Sequence, residues 1–134
     1  MKLHKLSPIL WTKDLPETVR FYENVLGFRS RSNFPDFASL TREEVEIMFI
    51  VPQPDPEDCN TGGEEVFFPK PVLTGSLFIT TEEVDKLWEF VKDKATVKSP
   101  IANREYLMRD FSILDVNGYE LVFGQDISNY KIRN

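Results

Sequence analysis

The chain has 134 residues, 41% of them hydrophobic and 28% charged, with a net charge of −6 and a pI near 4.8. That size and balance suit one globular domain with its own core and exclude a disordered or coiled-coil chain. The acidity excludes a general affinity for nucleic acid, whose phosphates need a basic footprint, and favours a cationic small molecule over an anionic one.

No basic n-region followed by an apolar h-region opens the chain, and Leu3 to Thr12 is apolar enough for a strand. Asp14 then stands as an N-cap with Pro16 in the first helical turn. Leu15, Val19, Tyr22 and Leu26 recur at helical spacing, and Gly27 ends the helix. Phe28 to Phe34, Phe37 to Thr41 and Val45 to Val51 read as three short strands, the first of them rather polar.

From about residue 52 to 73 the composition turns to Pro, Gly, Asp and Glu, which predicts a linker with one apolar triplet, Val66-Phe67-Phe68. The triplet could anchor the linker on the core or fold over a pocket. The single cysteine, Cys59, falls here; with no pairing possible within the chain, the expected compartment is the cytoplasm. No apolar run approaches the ~18 residues of a membrane span.

The same plan returns after the linker. A strand at Ser76 to Thr80 precedes a helix through Val84, Leu87, Trp88 and Val91, and strands follow at Tyr106 to Leu114 and Tyr119 to Gln125. Asp115-Val116-Asn117-Gly118 between the last two carries a hairpin signal. Lys94 to Arg104 should hold one more strand, although its residues barely say so. Self-similarity supports a duplication. Ser7 to Tyr22 can be laid on Ser76 to Val91, and Asp36-Phe37-Ala38-Ser39-Leu40 on Asp110-Phe111-Ser112-Ile113-Leu114. Continued without a gap, the second alignment sets Val45 to Phe49 on Tyr119 to Phe123.

Asp14-Leu15, Phe21-Tyr22 and Leu26-Gly27-Phe28, together with Arg109-Asp110-Phe111 and Asp115-Val116-Asn117-Gly118-Tyr119, resemble the opening and closing motifs of the glyoxalase/bleomycin-resistance/dioxygenase superfamily. The resemblance runs from about Leu3 to Gln125. It implies an α+β fold of two βαβββ modules, about 1–51 and 74–126 within a single domain of 1–134. Their curved mixed sheet would surround a cavity, with the helices outside, and a homodimer would be the family habit. Metal-dependent members resembling this chain place ligands at positions that fall here on Ser7, Ser76, Met48 and Val122. None of these is a usual ligand for a divalent ion.

Alternation along a strand gives the expected cavity lining. Ser7, Ile9 and Trp11 share a face, as do Ser76, Phe78 and Thr80. Glu46 and Met48 share another, and Glu120 with Val122 repeats that pair. Trp11 could equally be core or interface, and Glu46 and Glu120 could be solvated or ion-paired. Slipping the register by two residues makes those glutamates candidate ligands for a hard cation. Arg109 is either a clamp on the ligand or an ion-pair partner of Asp110. His4, an odd step from Ser7, points away from the cavity.

These residues suggest a metal-free protein that sequesters a small molecule with an aromatic body and a positive group. The alternative is a metal-dependent enzyme of glyoxalase, epimerase or extradiol-dioxygenase type, using Glu46 and Glu120.

Overall fold

A computed structural model describes residues 1–31, 34–52 and 73–128; Cys59 and Val66-Phe67-Phe68 lie outside them. The chain divides into two compact units, Met1–Pro71 and Val72–Asn134.

In the first unit the order is β1 (Ile9–Trp11), α1 (Leu15–Asn24), β2 (Arg29–Ser30), β3 (Phe37–Arg42) and β4 (Val45–Ile50). The sheet order is β1-β4-β3-β2, with β1 parallel to β4 and the other pairs antiparallel. Helix α1 starts as the sequence predicts: the Asp14 carboxylate accepts from the Glu17 N–H at 3.0 Å. Such a cap satisfies one of the free donors of the first turn. Gly27, at φ 71, turns the chain, and beyond it the Phe28 N–H donates to the Tyr22 carbonyl at 2.9 Å. The first and second predicted strands are longer in the sequence reading than in the structure. Among the described residues, only Ile9–Trp11 and Arg29–Ser30 form strands within Leu3 to Thr12 and Phe28 to Phe34.

The second unit repeats the plan with β5 (Leu77–Thr80), α2 (Val84–Val91), β6 (Thr96–Asn103), β7 (Met108–Leu114) and β8 (Glu120–Asp126). Its order is β5-β8-β7-β6, again with the first pair parallel. Strand β6 fills the stretch where the residues barely signalled one; its pairing with β7 is broken by two register shifts between Val97 and Ala102, around Pro100. The duplication is therefore one of topology, each half a βαβββ module.

One alignment needs correction. Ile9 pairs with Met48 and Phe78 with Val122, so the match of Ser7–Tyr22 to Ser76–Val91 is right. In β3 and β7 the pentapeptide match is out by one residue, because Ser39 pairs with Met48 while Ser112, not Ile113, pairs with Val122. The cause is the hairpin. Four residues separate the paired Thr41 and Glu46, whereas five separate Leu114 from Glu120. The shorter turn, Glu43-Glu44, holds Glu43 at φ 49. The longer one is gathered by Asp115, whose carboxylate accepts from Asn117 N–H and Tyr119 N–H at 2.9 Å each, with Gly118 at φ 91. A one-residue slip moves every side chain to the opposite face, so the ungapped match would have turned β7 over.

In each module the helix covers one face of the sheet. Tyr22, wholly buried, meets Phe49 at 5.2 Å and Phe28 at 5.5 Å between ring centres, beside Leu26, Leu40 and Ile47. Phe111 plays the corresponding part, 5.1 Å from Trp88 and 5.4 Å from Phe123, beside Val84, Ile113 and Leu121. These contacts fix which side chains face the helix and therefore which face away from it. Among the described residues no helix is long and apolar enough to cross a membrane.

Candidate functional site

Alternation puts Ile9 and Trp11 of β1, Phe37, Ser39 and Thr41 of β3, and Glu46, Met48 and Ile50 of β4 on the far face of the first sheet, away from α1. Ile9 and Trp11 are 54% and 43% exposed. Glu46 is anchored: Ser7 Oγ donates to Oε1 at 2.8 Å, Lys5 Nζ reaches the same oxygen at 2.9 Å, and Ser39 Oγ donates to Oε2. The Ser39 hydroxyl, then the Lys5 ammonium and the Ser7 hydroxyl, lower the carboxyl from 4.5 to about 2, overcoming the opposing effect of burial. Glu46 is thus a fixed carboxylate, unsuited to proton transfer near neutral pH. His4 is exposed.

The far face of the second sheet carries Phe78 and Thr80 of β5, Asp110, Ser112 and Leu114 of β7, and Glu120, Val122 and Gly124 of β8. Phe78 is 49% exposed. Its ring lies over Gly124, where an added Cβ would stand 2.6 Å from Cζ. Ser76 is exposed just before β5. Glu120 accepts from Lys98 Nζ at 3.1 Å. The sequence reading missed Asp110 as the polar centre of this face. It is buried, with Arg104 Nε donating to Oδ1 at 2.8 Å and the Tyr106 hydroxyl to Oδ2 at 2.6 Å. That second bond raises the Tyr106 phenol above its ordinary pKa. The signal was available, since Asp110 lies two residues from Ser112 on a strand whose intervening Phe111 is core.

Arg109 departs from expectation. It pairs with Gln125, on the side of α2, and not with the far-face residues. Its Nε and Nη2 donate to Asp85 Oδ1 at 3.0 and 2.9 Å, and Nη1 donates to Asn103 Oδ1 at 3.0 Å. The ion pair is with helix α2, not with Asp110, on the wall of a cleft of about 580 Å³ that also touches Glu82 and Gln125. Arg109 shares a face with Phe111, which lies in the core, so its position follows from the same alternation.

Among the described residues, the groups at these positions do not fit a divalent metal. Ser7 offers a hydroxyl already donated to Glu46, and both glutamates are held by lysines. Among the described residues no three His, Cys, Asp or Glu side chains gather as a metal site would require.

The sequence profile of the Glyoxalase/Bleomycin resistance protein/Dioxygenase superfamily matches residues 3–123. The chain belongs to that superfamily. Its fold is similar to that of a protein of unknown function from Agrobacterium tumefaciens str. C58, with TM-score 0.72, 15% identity, and 94% of this chain and 96% of that one covered. A glyoxalase/bleomycin resistance protein/dioxygenase from Alicyclobacillus acidocaldarius gives TM-score 0.69 and 18% identity over 93% and 92% of the two chains. The bleomycin-binding protein from bleomycin-producing Streptomyces verticillus, complexed with copper(II)-bleomycin, gives 0.64 and 19% over 96% and 98%. No curated protein matches the sequence. At these identities the superfamily member shares a fold with each structure, and the fold hosts more than one function.

Proposed function

We propose that this superfamily member is a small-molecule binding protein that holds its ligand by apolar and aromatic contact and not through a metal ion. The observation that carries the reading is the exposure of Ile9, Trp11 and Phe78, at 54%, 43% and 49%, on sheet faces turned away from the helices. Large apolar side chains grouped on a sheet face outside the core mark a binding surface. Met48 and Val122 extend these two surfaces, and Ser7, Ser76, Thr80, Glu46 and Glu120 are their polar points. The net charge of −6 favours a ligand that is not an anion.

Copper-free bleomycin and copper(II)-bleomycin are apt first probes, given the ligand of the Streptomyces relative. Calorimetry should give saturable binding, and Trp11→Ala and Phe78→Ala should each weaken it about tenfold. Loss of binding to both probes, or retention of stoichiometric Zn, Ni, Mn or Fe by the purified protein, would overturn the reading. The same proposal takes the protein as a cytoplasmic homodimer. Sedimentation equilibrium tests the dimer, and fractionation of expressing cells tests the compartment.

A further inference from the structure

The duplication supplies an internal control for the polar groups of the two far faces. Ser39 and Ser112 hold the same register position, paired with Met48 and Val122. Glu46 and Glu120 stand two residues before those partners. In the first module the serine has a partner, since Ser39 donates to Glu46. In the second, Glu120 is drawn to Lys98 at 3.1 Å. The Ser112 hydroxyl, in a residue only 2% exposed, has no hydrogen-bond partner among the described residues. A buried hydroxyl in that state is both costly and rare in folded proteins.

Its surroundings define what could satisfy it. Across the sheet from Ser112 lie Val122 and then Phe78. The rows on either side hold charges that are already answered: Asp110 by Arg104 at 2.8 Å, and Glu120 by Lys98. An anion would find both cations already engaged, and a cation would have to displace one of them from its carboxylate. A neutral group meets neither cost. Phe78, half exposed, has room to change rotamer as a ring enters beside it.

We infer that Ser112 is a specificity-determining residue of the second module. It takes the hydrogen-bonding oxygen of a ligand, or ligand portion, whose planar apolar body lies against Phe78 and Val122. The inference rests on the small-molecule reading above and narrows it, at this subsite, to an uncharged ring bearing a hydroxyl or carbonyl.

Phenol and toluene are probes that differ in the one hydroxyl. In two-dimensional NMR of the full chain, phenol should shift the Ser112 and Phe78 signals and bind more tightly than toluene. Ser112→Ala should erase that preference, weakening phenol about tenfold and leaving toluene unchanged. Thermal unfolding supplies a readout that needs no ligand: Ser39→Ala should lower Tm, whereas Ser112→Ala should leave it unchanged or raise it. Equal binding of the two probes, binding of neither, or a Tm loss in Ser112→Ala matching that of Ser39→Ala would each overturn the inference. Failure of the broader reading would show separately, as retained metal or absent bleomycin binding, with the Tm comparison unaffected.

Discussion

Ser7 and Glu46 are 39 residues apart in sequence, yet the serine hydroxyl donates to the glutamate Oε1 at 2.8 Å and fastens the approach to β1 onto β4. With Lys5 and Ser39 on the same carboxylate, this cluster joins the start of the chain to the strand that it runs beside.

The pH dependence follows from the sign of that perturbation. Glu46 is lowered from 4.5 to about 2 in the folded state, so its contribution is complete above about pH 4.5 and is lost as pH falls toward 2. Urea unfolding between pH 6 and pH 2 should show on the order of 1–3 kcal/mol of stability lost through this group. Glu46→Gln should be less stable than the parent at pH 6 and show a flatter acid limb. Superimposable pH profiles for the two proteins would refute the assignment.

Asp110 is a second carboxylate whose environment has a measurable consequence. Removing its cation by Arg104→Ala leaves a buried charge with the Tyr106 hydroxyl as its remaining side-chain partner. The expected cost is about 2–4 kcal/mol in chemical denaturation, and Asp110→Asn in the same background should restore part of it. Additive effects of the two substitutions would show that they are not coupled.

Phe111 binds helix to sheet in the second module through Trp88 and Phe123. Phe111→Ala should destabilise the protein by about 3–5 kcal/mol, as the removal of a buried ring does. Trp88 fluorescence should shift to the red in the folded state.

Gly124→Ala tests the placement of Phe78. The new Cβ would meet the far end of that ring at 2.6 Å, and because the ring is half exposed it can move aside. Stability should fall by less than about 1 kcal/mol, while the Phe78 ring resonances and the affinity for aromatic probes change. An unaltered Phe78 spectrum would mean that the ring does not lie there.

Much of this architecture is legible in the residues because strong local signals agree with the packing. Asp14, Pro16 and the spacing of Leu15, Tyr22 and Leu26 define α1 before any tertiary contact is considered, and alternation assigns Ile9, Trp11, Glu46 and Met48 to one face. The signals fail where the backbone is held by neighbours instead of its own side chains. Within Phe28 to Phe34 the polar residues announce a strand but not that only Arg29–Ser30 pairs, and β6 is interrupted by Pro100 and two register shifts. Arg109 is a different case. Its adjacency to Asp110 suggests a pairing between them, but alternation sets the two on opposite faces and Asp85 of α2 takes the guanidinium. The partners of Asp110 come from the β6–β7 turn, where Leu107 adopts φ 63, a conformation that no side-chain pattern announces.

The extra residue between β7 and β8 is accommodated wholly at the tip, where Asp115 gathers the surplus backbone. Length changes confined to such bends leave every strand's inward and outward sides as they were. The two halves can therefore differ in length and in the partners of their polar groups without either sheet being turned over.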